Sequence, residues 1–192
     1  MAGKVVLINP PSLDGKVWVR DGRCQQWDIW GAPFPPYSLA MISSQLKNVG
    51  METLIIDSGV NNKNPDHVLA ECRQFNPDLA ILSAASPTIQ DDLGQFAPAL
   101  KKAFPSIMIA AIGIHVSRFP SEALGSYPAL DVAIIGEPEL TSRELASAVL
   151  ERRVDGSLRG IAWKNDRGEI RINPEREFCD DLDSLGFPDW AA

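Results

Sequence analysis

Lys4-Val5-Val6-Leu7-Ile8-Asn9-Pro10-Pro11 is the stretch that decides the fold. Lys4–Asn9 is a continuous apolar run without polar alternation. Such a run reads as a strand buried on both faces, the kind found in parallel sheets covered by helices. The two prolines that follow stop the strand, because proline cannot donate to the ladder.

Working outward, the same unit recurs. Pro36 opens a helix over Tyr37–Val49, which Gly50 ends at C′. Thr53–Asp57 is the second strand. Asn64-Pro65 supplies an N-cap and a first-turn proline for a helix reaching Phe75. Leu79–Ser83 is the third strand. A helical pattern runs from Asp91 to Ala103, and Pro98 within it predicts a kink or a late helix start. Ile107–Ile112 is the fourth strand, Ser121–Ser126 a short helix, Asp131–Ile135 the fifth strand, and Thr141–Arg152 a helix. Five alternations predict an α/β fold: a doubly wound parallel five-stranded sheet, Rossmann-like or flavodoxin-like, in the order 2-1-3-4-5. The pattern then changes. Gly160–Lys164 and Glu169–Asn173 flank Asn165-Asp166-Arg167-Gly168 and predict a C-terminal β-hairpin. The expected division is residues 1–156 as the Rossmann-like domain and 157–192 as hairpin and linker.

The 192 residues allow one domain with an appendage and a sizeable core. A net charge of −7, spread along the chain, argues against a nucleic-acid partner, which calls for a basic patch. No apolar run approaches the roughly 18 residues of a membrane span. Met1-Ala2-Gly3-Lys4 leads straight into a strand, leaving no room for a signal peptide. Cys24, Cys72 and Cys179 are far apart and form no C-x-x-C. A reduced, cytoplasmic chain follows, with Cys72 as inert core.

Ligands of open parallel sheets bind outside the carboxyl ends of the strands. The candidate site is therefore the set of loops there: Asn9, Pro10 and Pro11; Ser83, Ala84, Ser86, Pro87 and Thr88; Gly113, Ile114 and His115; Gly136, Glu137 and Pro138. Small neutral residues suit a large ligand held by backbone and hydroxyl groups. Each has a second reading. Ser86 and Thr88 can donate to a ligand or cap the following helix. Gly113 can admit a flat ligand or simply make a tight turn. His115 reads first as a hydrogen-bonded structural residue, and His67 as a solvated one. Glu137 and Glu139 can form an acid/base pair or favour a helix N-terminus. The long loop from Pro10 to Pro35 carries Trp18, Trp27 and Trp30, which can cover a planar ligand or pack on the protein.

Several chemistries are excluded. There is no G-x-x-x-x-G-K-[ST] and no G-x-G-x-x-G after the first strand. A response-regulator receiver needs an aspartate ending the third strand and a lysine after the fifth, where Leu82-Ser83-Ala84 and Gly136-Glu137 stand. A hydrolase using Glu137 and His115 lacks a nucleophile beside a base.

Taken together, the first-strand series with Pro35-Pro36-Tyr37-Ser38-Leu39-Ala40, Asn76-Pro77-Asp78-Leu79, Gly113-Ile114-His115 and Gly136-Glu137-Pro138-Glu139 resembles the N-terminal cobalamin-binding domain of class B radical SAM enzymes. Arg20-Asp21-Gly22-Arg23-Cys24-Gln25, with Trp30 and Pro33, is similar to a loop of one subgroup. Asp181-Leu182-Asp183-Ser184-Leu185-Gly186-Phe187-Pro188 is similar to the lead-in to the radical SAM barrel. The resemblance implies a corrinoid on the carboxyl edge of the sheet with its nucleotide tail in the crevice between the first and third strands. Ser83, Ser86 and Thr88 would meet the tail, Gly113, Ile114, Gly136 and Glu137 would flank it, and Asn9 to Pro11 would approach the ring. Two departures stand out. The C-x-x-x-C-x-x-C of the cluster is absent, so the [4Fe–4S] cluster, S-adenosylmethionine and catalysis are expected in a further, C-terminal domain. The D-x-H-x-x-G ligand motif is also absent, which implies cobalt without a histidine from this loop. The competing expectation is a module of the same fold that binds no cofactor and packs on a partner domain.

Overall fold

The computed structural model describes residues 2–13, 16–20 and 35–192, and the backbone of 26–27. Cys24, Arg23, Trp30 and Pro33 lie outside the described residues, as do the side chain of Trp27 and all that was expected of them.

The strands are β1 (Lys4–Asn9), β2 (Trp18–Val19), β3 (Gln26–Trp27), β4 (Glu52–Asp57), β5 (Leu79–Ser83), β6 (Met108–Ile112), β7 (Val132–Ile134), β8 (Ile161–Lys164) and β9 (Ile170–Ile172). The helices are α1 (Tyr37–Lys47), α2 (Pro65–Phe75), α3 (Ala97–Ala103), α4 (Ile114–Arg118), α5 (Pro120–Ser126) and α6 (Pro138–Leu150). The main sheet runs β4-β1-β5-β6-β7-β8-β9. Its first five members pair in parallel, while β8 joins β7 and β9 joins β8 antiparallel. The expected five-stranded sheet with a hairpin beside it is thus a seven-stranded mixed sheet. The hairpin continues the ladder because Ile161 and Ala162 present a buried edge to Ile134 and Ala133. β2 and β3 form a separate two-stranded ladder inside the long first loop.

Residues alternate between the two faces of each strand, and each face has its own helices. Val5 and Leu7 of β1 pack with Leu39, Ile42 and Leu46 of α1 and Leu145 of α6. Val6 and Ile8 face the opposite layer, which contains Val68 and Cys72 of α2, Leu100 of α3, Val116 of α4 and Leu124 of α5. This two-sided burial explains why β1 reads as unbroken apolar sequence.

Local signals act as the physics requires. The Asn64 side chain accepts the His67 amide at 3.0 Å, with Pro65 at the first helical position of α2. Gly50 turns with φ +79° after α1. Around Pro98 the helix changes type. Gln90–Phe96 is π-helical and the α-helix begins at Ala97, one residue before the proline whose missing N–H the ladder must accommodate. α4 was not legible as a helix, and α6 starts at Pro138, earlier than Thr141, with the proline again at the first turn.

Cys72 is fully buried, and burial pushes its thiol up to about 12. In the native protein it should stay unmodified by a thiol reagent at pH 8 while the partly exposed Cys179 reacts. Mass mapping of the labelled cysteines checks this, and rapid native labelling of Cys72 would contradict the described core.

The tail from Pro174 is not a loose connector. Arg176 donates from Nε to the Thr141 hydroxyl at 3.0 Å and pairs with Glu144. Gln45 donates to the Leu185 carbonyl at 2.6 Å, the Asp189 amide to Ala40 at 3.0 Å, and Ser43 to the Asp189 carboxylate at 2.7 Å. Burial pushes Asp189 up, but Lys47, Ser43 and the Ala191 amide outweigh it and hold the carboxyl below its ordinary value. The strap therefore lies along α1 with Trp190 against Tyr37, ring centroids 6.3 Å apart.

Candidate functional site

The carboxyl rim of the sheet divides into an open half and a closed half. The open half is a cleft of about 620 Å³ at the ends of β5, β6 and β7. Ser83 closes one side and is 6% exposed. Ile112, Gly113, Ile114 and Ser117 form the middle, Ile135, Gly136, Glu137 and Pro138 the far side. Arg20, Ser38, Arg118 and Glu175 complete the lining.

Two glycines shape this half for different reasons. Gly113 has φ +136°, and a Cβ there would stand 2.1 Å from the Ala84 carbonyl oxygen. Its need for glycine comes from the close approach of the β5 and β6 ends, which the Ala84 amide also joins by donating to Ile112 at 2.9 Å. Gly136 has φ +76° with nothing within 4 Å of a Cβ, and its amide donates to the Ser117 hydroxyl at 2.8 Å. Here the turn needs glycine and the space beyond it is open.

The closed half lies over β1 and the start of the π-helical segment. Asn9, Pro10 and Pro11 are buried. The segment Val17–Arg20 lies over Asn9, leaving between them a void of only about 10 Å³. Arg20 and Asp92 form an ion pair with both side chains wholly inaccessible. Arg20 donates from Nε at 3.1 Å and from Nη2 at 2.9 Å to Asp92 Oδ1. Asp92 Oδ2 accepts the Thr88 hydroxyl at 2.6 Å and the Ala85 amide at 3.2 Å. Burial pushes the Asp92 carboxyl up, and Arg20, Thr88 and Ala85 pull it back. Arg20 Nη1 is buried without a partner among the described residues, as are Asn9 Oδ1 and Ser58 Oγ. Burial likewise pushes Asp57 up, against the opposing hydrogen bonds of Asn9, Val60 and Gly59 and the charge of Arg20.

The expected site residues therefore separate. Ser83, Gly113, Ile114, Gly136, Glu137 and Pro138 come together in the cleft. Asn9, Pro10, Pro11 and Ala84 do not, because the protein's own chain covers them. Thr88 turns inward to Asp92, while Ser86 and Pro87 are exposed on a 3₁₀ turn outside the lining. His115 is half-buried with its ring 5.4 Å from Phe119, also outside the lining, and His67 is exposed on α2. Glu137 and Glu139 do not share the cleft. Glu139 lines a second groove, of about 440 Å³, between the strap and α1, and Glu137 lines both. Sequence reasoning gave no site role to Arg20, which it noted only as part of a family-like loop, nor to Asp92, Ser117 or Glu175. A helix-start aspartate beside a serine–threonine turn is the one local signal that Asp92 carries.

Among the described residues the cleft's lining includes no histidine, cysteine or lysine. Among the described residues no group of three or more His, Cys, Asp or Glu is placed to hold a metal ion. No helix of the described chain is long and apolar enough to cross a membrane.

Comparison with known proteins gives a consistent set. The family model described as the B12 binding domain matches residues 30–146. An uncharacterized methyltransferase of Pyrococcus horikoshii is 24% identical over 162 residues, which are 84% of this chain and 35% of that protein. The anaerobic magnesium-protoporphyrin IX monomethyl ester cyclase of Rubrivivax gelatinosus is 27% identical over 161 residues, 82% of this chain and 29% of the cyclase. The chain thus spans about a third of the length of the curated relatives it matches. Among solved structures, the cobalamin-dependent S-adenosylmethionine radical enzyme OxsB with aqua-cobalamin bound superposes with a TM-score of 0.72 at 18% identity, over 92% of this chain and 23% of that one.

Proposed function

The chain belongs to the B12-binding domain family, and from that membership we propose that it holds cobalamin for a radical SAM enzyme of the methyltransferase or cyclase type. The observation that carries the reading is the open cleft of about 620 Å³ at three neighbouring strand ends, floored by the glycine turns at Gly113 and Gly136. That volume lies within the roughly 300–1,000 Å³ of small-molecule sites and suits a nucleotide tail, with the corrin ring resting on the rim. Ser83 and Ser117 offer hydroxyls, Gly136 exposed backbone, and Ile112, Ile114 and Ile135 apolar walls. When bound, the corrinoid supplies a cobalt centre able to carry a carbon group; the protein supplies position and shelter. We further propose that cobalt receives no histidine from this chain, since neither His67 nor His115 lines the cleft.

In this reading residues 1–156 hold the corrinoid and 157–192 lead toward a C-terminal radical SAM domain. The cluster and S-adenosylmethionine belong to that domain, because no C-x-x-x-C-x-x-C occurs in these 192 residues. The free Cys72 and Cys179 agree with a reducing, cytoplasmic setting.

A second reading, a cofactor-free module packed on a partner domain, is favoured by the exposed strap residues Phe178 and Phe187, 80% and 90% exposed. One experiment separates the two. Hydroxocobalamin is added to the purified chain, and the visible spectrum is recorded after desalting. About one equivalent should be retained. Ile114→Trp, which fills the cleft from an exposed position on α4, should lose the colour without changing the unfolding temperature. A colourless wild-type eluate favours the cofactor-free module.

A further inference from the structure

We propose that the strap is a latch which a ligand in the cleft holds shut, and that Arg176 is the positioning residue coupling the two. The proposal rests on the cobalamin reading and adds to it a route from the cofactor to the strap. The cleft and the second groove are neighbours built from the same elements. α1 gives Ser38 to the cleft and Tyr37 to the groove, α6 gives Pro138 and Leu140, and the strap gives Glu175 and Phe178. The strap thus completes the cleft only while it is docked. Its docking is polar. None of residues 174–192 is buried, and none belongs to either apolar core. Phe178, Leu182 and Phe187 are 80%, 69% and 90% exposed. What holds the strap is Arg176 on Thr141 and Glu144, the Leu185 carbonyl on Gln45, and Asp189 on Ser43 and Lys47. A segment with so little buried apolar contact opens at lower free energy than the domain that carries it. Arg176 is the hold nearest the cleft. It directly follows Glu175, and its partners sit on α6, whose first residue lines the cleft, while Arg176 itself lines only the groove. A ligand that rests against Glu175 binds the docked strap better than the released one. It therefore shifts the strap toward docking, and by linkage a released strap weakens the ligand by the same factor.

Hydrogen exchange followed by NMR tests the latch. The Asp189 amide, bonded to the Ala40 carbonyl at 3.0 Å, reads strap opening, and the fully buried Leu7 of β1 reads opening of the domain. In the wild-type chain Asp189 should exchange about a hundredfold or more faster than Leu7, and saturating hydroxocobalamin should slow it about fivefold or more. Arg176→Ala should weaken hydroxocobalamin about fivefold and abolish the slowing at Asp189. Arg176→Lys, which keeps a cation for Glu144, should restore much of both. Asp180→Asn, exposed on the strap and outside both linings, should change neither. If Arg176→Ala also loses Leu7 protection, Asp189→Ala, which frees the far end of the strap, serves with the same expectation for affinity. Asp189 and Leu7 exchanging together, an Asp189 rate indifferent to hydroxocobalamin, or wild-type affinity in the alanine variants overturns the latch while leaving cobalamin binding standing. A wild-type chain that retains no hydroxocobalamin overturns both.

Discussion

Asp92→Ala is expected to destabilise the fold by about 3–5 kcal/mol, the cost of stranding a buried guanidinium when its partner is removed. Both side chains of the pair have no accessible surface, so no solvent takes over the role of the carboxylate. The Thr88 hydroxyl and the Ala85 amide lose their acceptor at the same time. Since whole domains are stable by about 5–15 kcal/mol, the variant should unfold at much lower urea than wild type. Replacing both members with apolar residues of similar size, Arg20→Met with Asp92→Leu, should recover most of the loss, because the desolvation of two charges disappears with their attraction. A single-variant loss below about 1 kcal/mol would place the pair in water and undo the description of a closed half-rim.

The second large effect is expected at Gly113. Gly113→Ala puts a methyl group where the Ala84 carbonyl oxygen would stand 2.1 Å away, on a backbone with φ +136°. Backbone conformations this rare for side-chain-bearing residues cost about 1–3 kcal/mol, and the clash adds to that, so a loss of about 3 kcal/mol or more is expected. Gly136→Ala is the control. Its φ of +76° is also left-handed, but nothing lies within 4 Å of the added carbon, so about 1–2 kcal/mol is expected. Chemical denaturation of the two variants side by side checks the order, and equal losses would remove the close approach of β5 and β6 from the account. A bulky residue at Gly113 for the same reason makes a poor ligand-binding test, since it breaks the backbone before it meets a guest. Ile114 is the position where the two effects separate.

These two residues also show what sequence can carry. Gly113 was legible as a special position because it follows an apolar strand, with a ligand contact or a tight turn as its two readings, although the close approach of Ala84 that also demands glycine there was not. The strands themselves and the capping of α2 rest on contacts a few residues apart or on a repeated pattern, and these survive in one dimension. Arg20 and Asp92 are 72 residues apart, one in a loop without periodicity and the other in a helix whose type changes ahead of Pro98. Nothing local marks either as buried, and an arginine in a loop reads by default as solvated. The same blindness placed Asn9, Pro10 and Pro11 at an open rim. They end an apolar strand, but their burial, with Val17–Arg20 lying over Asn9, is a tertiary event. Seven strands replaced five because pairing partners, unlike strands, are not written in composition.

The antiparallel return of β8 onto β7 has a practical consequence for anyone excising the domain. A protein cut at residue 156 would leave Val132, Ala133 and Ile134, all but inaccessible at present, with a bare row of amides and carbonyls along a flat apolar margin. Such margins recruit other chains. The hairpin therefore works as a selvedge that stops the weave from catching on its neighbours, and a soluble fragment has to extend through at least Ile172, where β9 ends.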